Sequence, residues 1–405
     1  MSRFAPITRR TSLAGISAAA ASAAFPALAL SGQRPAFLHG VASGDPDATS
    51  VVLWTRVTAP APLNVDWELA ADHRFRKVLA RGRMATGPER DFTVKVLAEG
   101  LAPGGRYFYR FLADGTVSPV GQTRTLPVGP VARLGIALAS CSNYAFGFFN
   151  AYDAIARDAA IDFVLHTGDY IYEHGADGWG SEVARRIGRI HQPANEIVSL
   201  ADYRTRHAQY KTDAGSQAML AAKPLLACWD DHESANNPWT GGAQNHQPDT
   251  EGDWAARRAA SIQAYFEWMP VREPGPGRSR MQFWRTWVFG DLATLSTLET
   301  RHTARARQID YDPYRKTITS HAAAREMERD TFSAVGRTML ARELEADLTA
   351  AWTQSKRSNQ PWRLIGNPMP IARTRVPDVV GLGLIPDPAS QAKPLSAAVD
   401  MAWKG

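Results

Sequence analysis

Three apolar runs in this 405-residue chain end in residues able to bind a cation. They are Ala139-Ser140-Cys141-Ser142-Asn143, Thr167-Gly168-Asp169-Tyr170-Ile171-Tyr172 and Cys228-Trp229-Asp230-Asp231-His232-Glu233. Ligands collect outside the carboxyl ends of strands in open α/β sheets, so three such ends in one sheet would converge on a site. In the second run, Gly168 lets the chain turn sharply after the strand, Asp169 can bridge two cations with its two oxygens, and Tyr172 can return three residues later as a phenolate. A phenolate or thiolate selects a ferric or thiophilic ion, while carboxylate and amide oxygens suit calcium, magnesium or manganese. In the third run, the adjacent carboxylates Asp230 and Asp231 repel unless a cation or basic partner is near, and His232 stands beside them. Taken alone, Asp231-His232 reads equally well as a loop pair and Asp230 as a cap; the repetition of such ends favours a site.

Other polar groups have blander readings. Ser140 and Ser142 have no histidine base close in sequence and read as turn residues, so no phosphoserine is required. His39, His73, His174, His191, His207 and His246 sit in polar or loop segments, and His166 precedes Thr167 in a strand and reads as core. Trp179, Trp229 and Trp239 can wall a cleft, although buried tryptophan is usually packing.

The elements that must hold these residues follow from periodicity. Between Ala36 and Leu126 the chain shows short strand-like runs separated by turn signals, clearest at Val51–Val57, Asn64–Leu69, Phe92–Val96 and Arg106–Phe111. That spacing predicts a small β-sandwich. Leu126-Pro127-Val128-Gly129-Pro130 reads as a linker. Beyond it, Arg133–Ser140 and Ile161–Thr167 are buried-strand candidates flanking a helix over Phe148–Ala160, one βαβ unit. Lys223–Trp229 is another buried strand, Thr250–Met269 a long helix, and Phe283–Phe289 with Ala293–Leu298 a hairpin. Leu340, Leu344, Leu348 and Trp352 recur every four residues, as on an amphipathic helix.

Composition bounds the rest. Hydrophobic residues make up 44% and charged residues 21%, which is globular, and the length suggests two domains. The formal charge is +6, but three of those charges, Arg3, Arg9 and Arg10, lie in a segment that reads as cleaved, leaving +3. That is too little to argue for nucleic acid. Remaining cations, including Arg301, Arg305 and Arg307, read as a solvated face. Residues 1–30 carry paired arginines, then an Ala-rich apolar run from Ala14 to Leu30 and an Ala27-Leu28-Ala29 cleavage candidate, the pattern of a twin-arginine export signal. A membrane anchor is the weaker alternative, because the run is rich in Ala and Ser. Two cysteines, Cys141 and Cys228, exclude a disulfide framework and leave open one bridge, two buried thiols, or one metal ligand and one core residue.

Several long motifs, in order, give a resemblance to the PhoD-type alkaline phosphatases of the calcineurin-like metallophosphoesterase superfamily. Phe37-Leu38-His39-Gly40-Val41-Ala42-Ser43-Gly44-Asp45-Pro46 resembles the start of that family's β-sandwich domain. Ser140-Cys141-Ser142, Gly168-Asp169-Tyr170-Ile171-Tyr172, Trp229-Asp230-Asp231-His232-Glu233 and Leu298-Glu299-Thr300-Arg301 resemble its successive catalytic motifs. The fold implied is an α/β metallophosphoesterase-like domain, a β-sandwich core flanked by helices, preceded by a small all-β sandwich of fibronectin-III type. Its divisions would be a signal segment at 1–30, a sandwich at 36–127 and a phosphatase domain from 131 to 405. The resemblance implies Fe3+ held by Cys141, Asp169 and Tyr172, and Ca2+ reached through Asp169 with Asp231 and Asn236 or Asn237 nearby; Mg2+, Mn2+ or Zn2+ are alternatives. It places His232 as the histidine that contacts phosphate or protonates the leaving oxygen, and Arg301 as a clamp on a phosphate oxygen or a structural ion-pair partner. The implied reaction is in-line attack on phosphorus by a metal-activated hydroxide or oxygen.

One departure stands out: the family's late Gly-Asp-x-His motif has no counterpart, since after His302 only His321 occurs, with no Gly-Asp before it. The sequence thus reads as the front part of such a phosphatase. The expected protein is a monomeric periplasmic or secreted hydrolase, acting on small phosphate monoesters or diesters, phospholipid headgroups included, after passage through the twin-arginine machinery. A catalytically impaired envelope binding protein and a purple-acid-type phosphatase are the competing readings; the latter expects Gly-Asn-His where this chain has Trp229-Asp230-Asp231-His232.

Overall fold

A computed structural model describes residues 34–310, 313 and 321–370. The export segment expected at 1–30 lies outside the described residues. No helix among the described residues is long and apolar enough to cross a membrane.

The first third of the chain is all β: β1 (Val41–Gly44), β2 (Val51–Arg56), β3 (Leu63–Ala70), β4 (Val78–Thr86), β5 (Thr93–Ala98), β6 (Arg106–Ala113), β7 (Thr116–Val117) and β8 (Gly121–Arg124). Alternation decides the faces. In β6, Tyr107, Tyr109 and Phe111 point inward and the residues between them are only partly covered. They close one apolar core with Val41, Val51 and Leu53 from β1 and β2. The layer β4-β3-β6-β7, with β8 on β6, thus stacks on the layer β5-β2-β1.

That second layer does not end at β1. Strand β9 (Ile136–Ala139), β10 (Phe163–Thr167) and β11 (Leu225–Cys228) are parallel, and β11 pairs in parallel with β1, giving one six-stranded sheet ordered β5-β2-β1-β11-β10-β9. The junction explains the motif Ser43-Gly44-Asp45. A Cβ on Gly44 would lie 2.5 Å from the Pro270 carbonyl oxygen and 2.7 Å from that of Leu225, so only glycine fits there. Asp45 is buried and accepts from the Arg272 amide at 2.9 Å, from Arg285 Nε at 3.0 Å and from Trp287 Nε1 at 3.3 Å. The motif fastens the sandwich to the rest of the protein.

Helices α1 (Asn150–Arg157), α2 (Ser181–Ile187), α3 (Leu200–Tyr210), α4 (Ala214–Ala222), α5 (Pro248–Glu251) and α6 (Trp254–Trp268) fill the segments around β10 and β11. Helix α3 starts at Ser199 with a reciprocal cap, Ser199 accepting from the Asp202 amide while Asp202 accepts from the Ser199 amide. A short ribbon, β12 (Pro238–Trp239) with β13 (Gly242–Ala243), precedes α5. The remaining strands, β14 (Thr286–Phe289), β15 (Ala293–Thr297) and β16 (Trp362–Gly366), form a separate sheet, β14-β15-β16. Period two again sorts the sides of the central strands. Phe163, Leu165 and Leu226 pack on Trp287, Phe289 and Leu295 of that sheet, while Val164, Leu225 and Ala227 face a helical side built on Tyr203, Leu220, Tyr265 and Trp268.

Two expectations are corrected, and the alternatives left open for the cysteines are narrowed. Strand β9 is not buried: among the described residues it is the sheet edge, and Leu138 is 68% exposed. Cys141 and Cys228 are both free thiols, the first exposed and the second buried among backbone carbonyls, so no bridge joins them. Arg301 and Arg305 do not form a solvated face; both are buried, because they follow β15 into the carboxylate cluster described next.

Candidate metal centre

The three parallel strands end in register, His166 beside Ala139 and Thr167 beside Cys228. Neighbouring strands lie about 4.8 Å apart, so the residues just past these ends meet. Here the backbone leaves extended geometry: Cys141, Gly168 and Asp169 all have positive φ, at 57°, 99° and 54°. For Cys141 and Asp169 that conformation costs on the order of 1–3 kcal/mol each. Gly168 is required twice over, since a Cβ there would sit 2.2 Å from the Asp230 amide. Amide hydrogen bonds from Cys141 to the Gly168 carbonyl (3.2 Å) and from Ser142 to the Asp169 carbonyl (3.1 Å) lock the first two turns together.

Asp169 is the centre of the result. Its Oδ2 accepts from Cys141 Sγ at 3.5 Å and from Tyr172 Oη at 3.2 Å, and its Oδ1 accepts from the His232 amide at 3.4 Å. Asp169, Asp231 and His232 offer ligand atoms that all lie within 4.8 Å of one another. One carboxylate therefore has a thiol and a phenol on one side and a carboxylate and an imidazole on the other.

Its surroundings carry excess negative charge. Glu233 is buried and bridges two strand ends, Oε1 accepting from the Tyr170 amide at 2.7 Å and Oε2 from the Asp230 amide at 2.9 Å. Burial, then the charges of Asp231 and Glu233, push the Asp169 carboxyl up to about 7. Burial lifts Glu233 to about 7, and lifts Asp230 to about 8 although Arg301 pulls the other way. The Cys141 thiol, at a residue open to solvent on one side, still rises to about 11, mainly because the cluster partly desolvates it, and the Tyr172 phenol rises through burial and then the Asp169 charge.

The cationic partners are Arg301 and His232. Arg301 follows Glu299, which is buried and accepts from Trp229 Nε1 (3.1 Å) and from the Arg301 and His302 amides (2.9 and 2.8 Å), fixing the turn after β15. The guanidinium places Nε and Nη2 2.6 Å from Asp230 Oδ1 and Nη2 3.6 Å from Asp231. Its Nη1 is buried with no partner among the described residues. His232 donates from Nδ1 to Glu173 Oε2 at 2.6 Å. Burial works against the imidazolium, but that hydrogen bond and the charges of Glu173, Asp231 and Asp169 outweigh it and raise its pKa to about 10. Glu173 is itself held by the Asn236 amide (2.7 Å) and Asn245 Nδ2 (2.8 Å).

These residues fit a cation. Carboxyls lifted by burial and then by mutual repulsion, with a thiol and a phenol aimed at one carboxylate oxygen, would all release protons to a bound metal. Thiolate and phenolate suit a ferric ion on the Cys141 side, and carboxylate oxygen suits a harder divalent ion on the Asp231 side. Asn236 gives Nδ2 to Gln244 at 3.1 Å, which leaves its amide oxygen as the candidate donor.

Beside Cys141 and Tyr172 opens a cleft of about 390 Å3 walled by Phe146, Phe148, Phe149 and Trp179. Trp179 is 56% exposed, stacks near-parallel with His232 at 6.5 Å and meets Phe146 at 4.7 Å. Trp229, by contrast, is packing against Tyr265, Phe266 and Phe283.

Residues 136–400 match the PhoD-like phosphatase family, and residues 19–127 match the N-terminal domain of PhoD-like phosphatases. The chain belongs to the PhoD-like phosphatase family. It is 43% identical, over 281 residues, to the protein named alkaline phosphatase D from Bacillus subtilis (strain 168), an overlap covering 65% of this chain and 46% of that one. A solved structure of PhoD superposes with a TM-score of 0.68 at 35% identity, covering 81% of this chain and 61% of the other. The α/β fold with its leading all-β layers is that of PhoD. The chain spans less than two thirds of the length of either relative.

The structure brings Cys141, Asp169, Tyr172, Asp231, His232 and Arg301 into one cluster, with Asn236 tied to it through Glu173. His166 lies beneath, its Nε2 2.7 Å from the Tyr152 hydroxyl, and Tyr152 in turn bonds Ser142. Sequence reasoning passed over Glu173, Glu233 and Glu299, the carboxylates that orient the cluster. It also gave His174 a bland reading, yet Glu173, His174 and His232 gather closely enough to share an ion. The available signal was position: Glu173 and Glu233 each lie within four residues of a strand-end acid.

Proposed function

We propose that this chain is an exported, metal-dependent phosphoesterase hydrolysing phosphate monoesters or diesters at the Asp169 cluster. The reading is carried by the shared Asp169 carboxylate, with Cys141 and Tyr172 at one oxygen and Asp231 and His232 gathered on the other side. Cys141, Asp169 and Tyr172 would hold a ferric ion; Asp169, Asp231 and Asn236 would hold calcium or another divalent ion. When bound, such cations supply Lewis-acid polarisation of the ester phosphoryl and of a water.

The side chains do the rest. With Nδ1 committed to Glu173, His232 keeps a proton on Nε2 for the leaving oxygen. Arg301, held by Asp230 through Nε and Nη2, keeps Nη1 for a nonbridging phosphoryl oxygen. The aromatic cleft takes the organic part of the ester and excludes water beside it. Export is supported by the paired arginines and the Ala-rich run of residues 1–30. The contact between Cys141 and Asp169 favours this reading over a purple-acid-type centre, which has no use for that thiol.

The test is to purify the full chain, measure bound iron and calcium, and compare turnover of p-nitrophenyl phosphate with bis-p-nitrophenyl phosphate. Bound metal with turnover that vanishes in Asp169→Asn is expected. Turnover without iron would overturn the Cys141 and Tyr172 roles, and bound metal without turnover would favour a binding protein.

A further inference from the structure

A second polar pocket, of about 220 Å3, lies at the opposite end of the same sheet. Strand β10 has Asp162 just before it and Asp169 just after it, about 20 Å apart at the usual rise along a strand. The pocket sits at the seam between the two parts of the fold. Arg106 opens β6 and Arg124 ends β8, both from the leading sandwich, while Asp162 and Lys223 precede β10 and β11.

Cations outnumber anions there. Asp162 is the lining carboxylate, and its oxygens are already used: Oδ1 pairs with Arg124 Nη1, and Oδ2 accepts from the Gly135 amide at 2.9 Å. Arg106 reaches that same Oδ1 only at 3.8 Å. Lys223 Nζ donates to the carbonyls of Asp158 (2.8 Å) and Ile161 (2.9 Å), which are neutral groups, so the carboxylates of Asp158 and Asp162 act on its charge only from a distance. An unspent donor remains: Arg124 Nε is buried with no partner among the described residues. The electrostatics agree with the geometry. Burial and then Arg106 lower the Lys223 pKa, and burial, with Arg106 and Arg133 adding to it, lowers that of Arg124. A buried donor without an acceptor, beside cations that repel one another, calls for an anion. The volume falls below the roughly 300–1,000 Å3 typical of pockets for drug-sized ligands, so a compact anion fits and a nucleotide does not.

We propose that this seam pocket is a binding site for a small tetrahedral oxyanion, inorganic phosphate or sulfate, separate from the metal centre and formed by Arg106, Arg124 and Lys223. The anion would accept from the unspent Arg124 donor and from Lys223, draw Arg106 in, and tie the leading sandwich to the strands that carry the metal ligands. The site does not depend on the phosphoesterase reading.

The experiment uses the full chain carrying Asp169→Asn with chelator present, so that no bound metal accounts for anion binding, and any binding by Arg301 and His232 is told apart by its indifference to Arg106. Phosphate, and separately sulfate, is titrated at constant ionic strength against chloride while thermal unfolding is followed. Saturable stabilisation by both oxyanions is expected. Adding Arg106→Glu, at a side chain 60% exposed and so tolerant of replacement, should weaken apparent affinity at least about tenfold, since a charge-assisted contact is lost and a repulsive one added. Arg81→Glu, on the exposed surface of β4, should leave it unchanged. Absence of saturable stabilisation, or equal affinity in the Arg106→Glu and Arg81→Glu proteins, would overturn the proposal.

Discussion

Replacing Asp169 with Asn should make the metal-free protein more stable at alkaline pH, the opposite of what removing a good structural interaction does. In the chelated protein, burial and the charges of Asp231 and Glu233 lift this carboxyl from its ordinary 3.8 to about 7. A folded-state pKa above the unfolded value means that the folded chain binds more protons between those two pH values. Stability therefore falls as pH rises from about 4 to about 7 and then levels off. Each pH unit is about 1.4 kcal/mol, so the penalty carried above pH 7 is on the order of 4 kcal/mol, shared with the carboxyls that repel Asp169. Asparagine keeps the shape and an acceptor for the His232 amide, while its Nδ2 can donate to Tyr172 or Cys141. Urea unfolding at a series of pH values from 5 to about 8.5, with chelator, should show a shallower loss of stability in Asp169→Asn and a higher stability than the wild type at the alkaline end. Adding back iron and calcium should reverse the order by stabilising only the wild type. The reasoning is refuted if the chelated variant is the less stable protein at alkaline pH, or if cations stabilise both proteins equally.

Three more outcomes follow from the same geometry. Glu173→Gln removes the charge that outweighs burial at His232, so the imidazolium that otherwise persists to about pH 10 is lost earlier, and the basic limb of the pH–activity profile should move down by about two pH units or more. Arg301→Ala leaves Asp230 buried without its guanidinium and should cost about 3–5 kcal/mol in denaturant unfolding, whereas Arg301→Lys, which cannot reproduce the fork, should keep more stability than it keeps activity. Trp179→Ala, at a half-exposed ring, should change unfolding free energy by no more than about 0.5 kcal/mol, yet raise KM for aromatic esters more than for small aliphatic ones.

Much of the fold was legible because period two and turn signals survive in the sequence. The runs read at Val51–Val57, Asn64–Leu69 and Arg106–Phe111 correspond to β2, β3 and β6, and the buried run before Asp169 corresponds to β10. Strand β4 was missed: its burial alternates only weakly, since much of it is exposed, so hydrophobic periodicity had little to register. Helices α3 and α4 escaped because the single face that each buries mixes polarities, Tyr203, Arg206, His207 and Tyr210 in α3 and Ser216, Met219 and Leu220 in α4, and a stripe of one polarity is what sequence patterns detect.

The sequence by itself determined which residues can bind a cation and that they stand at strand ends, because glycine, carboxylate and phenol chemistry are local properties. The family resemblance also marked the stretch from Phe37 to Pro46, which contains Ser43-Gly44-Asp45, without saying why. Only the tertiary structure decided that this motif joins two layers through β1 and β11, that Arg301 is buried against Asp230, and that Glu173 charges His232. Each of these depends on contacts between residues roughly 60–180 positions apart, and such contacts are set by sheet register and burial. Burial is also what turns ordinary acids into a cluster that needs a cation, and no residue carries its own burial in its name.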